Sequence, residues 1–195
     1  MIEELKKYYY SQGWKKEKGI IQSIIQVDKH PMFSYPRTIN HIAVSVTNLD
    51  NAVKWYQEVF GFNVINGPVE IVVDDSPLGM VFKDIHGPNL KKMRIVWLSS
   101  GNQVGFEIFE YIDPKAERRT NDNFEYWKSG FFHICITDPN IEELCKKISE
   151  SGGKQRSKIW NIAPNKGYKI AFCEDPFGNI IELYTHGYEQ TITSV

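Results

Sequence analysis

The sequence predicts an α+β fold built from two βαβββ modules in tandem. Three observations carry that prediction: stretches in which apolar and polar residues alternate with period two, two apolar stripes at helical spacing, and a repeat whose halves match position by position. At 195 residues the chain is long enough to bury an active site. Its 42% hydrophobic and 24% charged content is ordinary for a globular protein. A formal charge of −1 gives no electrostatic case for nucleic acid or an anionic membrane, which leaves small molecules or proteins as partners.

Residues 1–38 read as an N-terminal extension with one helix, rich in charge and tyrosine and ending near Pro31 and Pro36. Lys6, Lys7, Lys15, Lys16 and Lys18 there read as a solvated face. The first module opens with "INHIAVSVTNLDNAVKWYQEVFGFNV". Its strand sets Ile42, Val44 and Val46 on one face and His41, Ala43 and Ser45 on the other. A helix then enters through Asn48 or Asp50, carries Leu49, Val53, Tyr56 and Phe60 on one stripe, and stops at Gly61. Strands follow in "NVINGPVEIVV", "KMRIVWLSS" and "QVGFEIFEYI".

The second module repeats the order from "FFHICITDPNIEELCKKISESGGKQ". Phe132, Ile134 and Ile136 form its apolar face, with His133, Cys135 and Thr137 opposite. Asp138 is the expected cap before Pro139 at the helix start; Ile141, Leu144 and Ile148 make the stripe, and Gly152 and Gly153 end it. Strands are expected in "KQRSKIW", "YKIAFCED" and "NIIELYTH", the last two joined by the turn "DPFG". The modules span about residues 39–112 and 130–186 of a domain at 39–187, and residues 188–195 form a tail.

Superposing the repeats makes His41 equivalent to His133 and Glu107 equivalent to Glu182. Each glutamate interrupts a strand that is otherwise largely apolar, and a carboxylate in that setting needs a cation. Two imidazoles and two carboxylates on rigid strands suit a divalent metal ion, with positions left over for substrate. The competing assignment pairs Glu107 with Arg94 and Glu182 with Lys169, thirteen residues upstream in each case, and buries the histidines as core residues. His30, His86 and His186 fall outside the repeat and are read as non-ligands.

With "INHIAVSVTNLDNAVKWYQEVFGF", "GFFHICITDPNIEELCKKISESGG" and "EDPFGNIIELY" in view, residues 39–185 resemble the vicinal oxygen chelate superfamily, which includes glyoxalase I, methylmalonyl-CoA epimerase, extradiol dioxygenases and fosfomycin-resistance proteins. The resemblance implies the glyoxalase-like fold, in which paired modules form a cup-shaped mixed sheet around one divalent ion per site, Zn, Ni, Co, Mn or Fe(II). It puts His41, Glu107, His133 and Glu182 at the ligand positions. It also implies an isomerase, epimerase or lyase that moves a proton through an enediolate on a small oxygenated metabolite, with Glu182 as first choice of base and Glu107 as second. A homodimer is expected on the same ground. The alternatives are an extradiol ring-cleaving dioxygenase using Fe(II), a non-catalytic ligand-sequestering protein of the resistance type, and a domain that binds another protein.

This sequence departs from the named branches in its substrate contacts. Where many extradiol enzymes carry a catalytic His and Tyr, it has Arg118 and Phe172; where glutathione-dependent glyoxalases carry Arg and Asn, it has Ser45 and Tyr111; methylmalonyl-CoA epimerases usually have Gln at the place of Glu107. Trp97, Tyr111, Trp127, Trp160, Tyr168, Arg118 and Arg119 are the residues on hand to stack on a ring or pair with a carboxylate. Cys135, Cys145 and Cys173 show no metal-binding or disulfide spacing, the first sixteen residues lack the apolar run of a signal peptide, and no stretch is apolar enough to span a bilayer. The cytoplasm is therefore the expected location.

Overall fold

The computed structural model describes residues 37–118 and 125–194, and Ile39–Val195 forms one compact unit. The helix expected in the N-terminal extension, its lysines, and Arg119 lie outside the described residues. The first module runs β1 (His41–Ser45), α1 (Leu49–Phe60), β2 (Asn63–Val72), α2 (Pro77–His86), β3 (Lys92–Ser99) and β4 (Gly105–Asp113). The second runs β5 (Ile134–Thr137), α3 (Ile141–Glu150), β6 (Lys154–Gln155), β7 (Trp160–Ala163), β8 (Tyr168–Glu174) and β9 (Ile180–Tyr184), with a short α4 (Tyr188–Ile192) after it.

Each module makes one mixed sheet. The first has the order β1-β4-β3-β2 and the second β5-β9-β8-β6, with β7 also on β8. The opening strand of each module lies parallel to its closing strand, β1 on β4 and β5 on β9. Both opening strands are therefore the outer strand of their sheet.

Local chemistry sets the helix ends. Asn48 accepts a hydrogen bond from the Asn51 amide at 2.9 Å to start α1, and Gly61 ends it in the left-handed region at φ 70°. Helix α3 departs from the expected start: Asp138 accepts from the Asn140 amide at 2.7 Å in a tight side-chain turn, so the helix begins at Ile141 rather than at Pro139. The segment read as one strand over "KQRSKIW" divides into β6 and β7, and the tail holds α4. Helix α2 is an insertion that the apolar pattern does not announce. Only Gly79 is buried in it, while Leu78, Met80, Val81 and Ile85 are all more than half exposed. Its signals are polar ones: Ser76 accepts from the Gly79 amide at 3.1 Å, Pro77 opens the first turn, and Gly87 stops the helix.

The main core lies between the two helices and the inner faces of both sheets. Leu49, Ala52 and Tyr56 of α1 pack with Ile141, Leu144 and Ile148 of α3, with Val96, Leu98, Phe106 and Ile108 beneath one and Ala171, Ile181 and Leu183 beneath the other. Hydrogen bonds from two buried donors join the modules: Trp55 Nε1 donates to Ser151 O at 3.0 Å, and the Tyr56 hydroxyl donates to Asp175 Oδ2 at 2.8 Å. Asp175 also accepts from the amides of Phe177 and Asn179, which gives the "DPFG" turn its shape.

Candidate metal centre

Period-two geometry carries the site. Phe106 and Ile108 on β4, and Ile181 and Leu183 on β9, face the core. Glu107 and Glu182 must then point to the opposite face, and in register they lie beside Ala43 of β1 and Cys135 of β5. His41, two residues before Ala43, shares that face, and its Nε2 lies 3.7 Å from Glu107 Oε2. His133 stands one residue ahead of β5, where the ladder to β9 has not begun, yet its Nε2 reaches to 3.1 Å from Glu182 Oε2.

The pairing of the glutamates with upstream cations does not occur. Arg94 donates to both carboxylate oxygens of Asp50, at 3.0 and 2.8 Å, and approaches Glu110 at 3.2 Å. Lys169 bonds Glu142. Each cation thus ties its sheet to the first turn of its own module's helix, and each site glutamate has a histidine as its close neighbour.

Whether these groups fit a metal can be judged from their lone pairs. Asn40 Oδ1 is an acceptor only, and it lies 2.9 Å from His41 Nδ1. A proton on Nδ1 matches that acceptor, and in the neutral ring the Nε2 lone pair then faces Glu107, the arrangement of a ring oriented for coordination. At His133, Nδ1 is buried with no hydrogen-bond partner among the described residues. With metal–ligand bonds of roughly 2.1 Å, neighbouring donors stand about 3.0 Å apart around an octahedral ion and about 3.4 Å apart around a tetrahedral one. The two nitrogen–oxygen separations, 3.1 and 3.7 Å, lie close to that range.

The structure therefore builds two His–Glu pairs. It does not bring the four residues together: among the described residues, no three His, Cys, Asp or Glu side chains converge closely enough to hold an ion. The pairs also differ in surroundings. Burial raises the Glu182 carboxyl above its ordinary value, against the opposing attraction of His133 and hydrogen bonds from Cys135 and His133. The side chain of Glu182 is 12% exposed and that of Glu107 18%. Opposite Glu182 is the Cys135 thiol, pushed up to about 12 by burial and by the glutamate's charge; opposite Glu107 is only the Ala43 methyl.

Aromatic rings flank both pairs, since Trp97 is the cross-strand partner of Glu107 and Phe172 that of Glu182. The Phe172 ring meets His133 edge-on at 5.4 Å. Beside the first pair, a cavity of about 440 Å³ is lined by Trp97 and Tyr111 together with His41 and Glu107. Of the other residues considered for substrate, Trp127, Trp160 and Arg118 are exposed, and Tyr168 is buried under Gln190, which donates to its hydroxyl at 2.8 Å. Two contributors escaped the sequence: Asn40, whose only signal is its place before His41, and Gly105, the register partner of His41, where a Cβ would come within 3.1 Å of the His41 Cβ.

Comparison with known proteins places this geometry among relatives. A family model described as Glyoxalase/Bleomycin resistance protein/Dioxygenase superfamily matches residues 38–183. A lactoylglutathione lyase from Schizosaccharomyces pombe is 30% identical over 148 residues, covering 74% of this chain and 46% of the relative. A 2-epi-5-epi-valiolone epimerase from Actinomyces sp. is 22% identical over 148 residues, covering 74% of this chain and 77% of the relative. The chain thus spans about half the length of the lyase it matches and most of the epimerase. Among solved structures, a glyoxalase family protein from Bacillus cereus superposes with a TM-score of 0.60 at 14% identity, over 78% of this chain and 97% of that one.

Proposed function

This chain belongs to the glyoxalase/bleomycin resistance protein/dioxygenase superfamily, and from that premise we propose that it is a divalent-metal-dependent isomerase, epimerase or lyase acting on a small oxygenated metabolite. The observation that carries the reading is the pair of His–Glu couples at equivalent positions of the repeat, each with donor atoms 3.1 to 3.7 Å apart. His41, Glu107, His133 and Glu182 would hold the ion. When bound, it would polarise a substrate oxygen and lower the cost of negative charge beside a carbonyl.

The chain's own residues do the rest. Glu182, whose carboxyl burial makes more basic than usual, takes the proton from the carbon next to the carbonyl and returns it to a neighbouring carbon or to the opposite face. Glu107 is the second base, of use where both faces of the substrate must be reached. Phe172 and Trp97 hold water away from the two carboxylates. The relatives named as a lyase and an epimerase support this class of chemistry.

The same reading makes the protein a homodimer in which the couples come from different chains. Within one chain the couples stay apart. Strands β1 and β5, beside which they sit, are outer strands of their sheets, and among the described residues no strand pairs with their far edge. Pairing β1 of one copy with β5 of the other would satisfy those edges and close two equivalent sites about a twofold axis. A ring-cleaving dioxygenase gains no support from Phe172, an apolar ring packed on His133, or from the exposed Arg118. Among the described residues no helix is long and apolar enough to cross a membrane, and the three cysteines are free, as the proposed cytoplasmic location requires.

The test is metal content with proton exchange. About one divalent ion per chain, and metal-dependent uptake of deuterium at the α-carbon of 2-hydroxy or 2-oxo compounds, would be the positive result. Oxygen uptake on catechols with Fe(II) would favour the dioxygenase, and tight ligand binding without metal would sink both enzyme readings.

A further inference from the structure

The repeat explains the metal donors and leaves one part of the first module without a counterpart. Helix α2 sits between β2 and β3, whereas the second module has only β6 and β7 between α3 and β8. What the modules share serves the ion; what only one of them has is free to choose the substrate.

Helix α2 brings Phe82 and His86 over the face of β4 that carries Glu107. The His86 ring stacks on Phe82 with centroids 5.8 Å apart, lies 6.2 Å from Phe109, and meets Tyr111 edge-on at 5.8 Å. Phe109 and Tyr111 stack on each other at 6.1 Å. With Trp97 and Glu107 these residues line the 440 Å³ cavity, a size within the range of small-molecule sites. At the matching positions of the second module stand Tyr184 and His186, and His186 turns away to Thr185 and Tyr168.

The polar atoms of the cavity have defined roles. Burial raises the Tyr111 hydroxyl above its ordinary value, with Ser45 acting in the opposite direction. His86 Nδ1 lies 3.2 Å from the Phe82 carbonyl, which can only accept, so that nitrogen carries the proton. Nε2 of the neutral ring is then an acceptor, and it makes no other hydrogen bond among the described residues.

We infer that this cavity is a slot for a flat, unsaturated ring bearing a hydroxyl, which donates to His86 Nε2 at the end away from Glu107. The slot rests on the metal reading above for the other end of the substrate, where its oxygens meet the ion. Phe82, Phe109, Tyr111 and Trp97 present ring faces and edges that favour a planar partner over a saturated one. His86 acts as a binding and specificity residue, and the proton transfer stays with the glutamates.

Three probes of matched shape test this on the full chain loaded with Zn2+: 4-hydroxybenzoate, 4-methoxybenzoate and benzoate, titrated calorimetrically. The hydroxyl compound is expected to bind about tenfold more tightly than the other two, the worth of one net hydrogen bond. His86→Leu should erase that advantage without weakening benzoate, His86→Gln should retain much of it through its amide oxygen, and Trp97→Ala should weaken all three. Equal affinities in the wild type, absence of binding by any probe, or a hydroxyl advantage that survives in folded His86→Leu would overturn the inference. The same advantage in protein that takes up no Zn2+ supports the slot and sinks the metal reading. Zn2+ uptake with equal affinities does the reverse.

Discussion

If each site is completed by two chains, two crippled variants should repair one another. Glu107→Gln spoils the β4 half of every site and Glu182→Gln the β9 half, so each homodimer has three ligands in both sites. Losing a ligand costs more than the roughly 10–100-fold that loss of an outer partner costs, so neither variant should hold Zn2+ against a moderate chelator. Now let the two be mixed and allowed to exchange subunits. About half of the dimers become mixed, and in each of these one site receives both altered halves while the other receives both native ones. About a quarter of wild-type Zn2+ capacity should return, and with it about a quarter of any deuterium exchange. The assay is competition with a chromophoric chelator, with subunit exchange verified by mass on isotopically labelled chains. Full exchange with no recovered capacity would refute the cross-chain assembly, because it would mean that both carboxylates of a site come from one chain.

Other outcomes follow from particular contacts. Gly105→Ala pushes a methyl to within 3.1 Å of the His41 Cβ, so Zn2+ affinity should fall by about tenfold with little change in the urea midpoint; unchanged affinity would show that His41 tolerates displacement. Cys135, exposed but with its thiol pushed up to about 12 by desolvation and by the charge of Glu182, should react with iodoacetamide at pH 8 on the order of a thousandfold more slowly than an ordinary thiol, and Glu182→Gln should speed it up; rapid labelling of the wild type would contradict the influence of Glu182 on the thiol. Tyr56→Phe removes the buried donor to Asp175 and should cost about 1–3 kcal/mol in urea unfolding, a loss that would be absent if the turn repacked. Burial raises the Asp175 carboxyl above its ordinary value, so the folded protein holds that proton more firmly than the unfolded chain does. Its stability contribution is therefore full at acid pH and is lost as pH rises through the folded value. The stability gap between wild type and Asp175→Asn should narrow from pH 4 to pH 7, and a widening gap would reverse the assignment.

The strands were legible because Val44 and Val46, Phe106 and Ile108, and Ile181 and Leu183 are buried at alternate positions, and that alternation put each glutamate on the face of its sheet turned away from the main core. Helix α2 was not legible because its apolar residues face outward, leaving caps at Ser76 and Gly87 as its only mark. Helix α3 starts later than the spacing predicts because Asp138 folds its side chain onto the Asn140 amide instead of capping the helix. His86 was set aside because it lies outside the repeat, and only the return of α2 over β4 brings it to the cavity that Glu107 lines. Nor does a linear pattern reveal which strand of a sheet is outermost, the feature on which the proposed cross-chain assembly rests.

The ion pairs Arg94–Asp50 and Lys169–Glu142 have a bearing on how such a protein can be rebuilt. Each clamps a sheet to the helix of the same module and none crosses to the other, so a module carries its own fastening along with its own half of the donors. That fastening does not make the modules independent, because their helices share one core and Trp55 and Tyr56 reach across to Ser151 and Asp175. A chimera joining one module to the complementary half of a relative would keep its own sheet-to-helix clamp and its own His–Glu couple, and its folding would turn on how well that shared seam is matched.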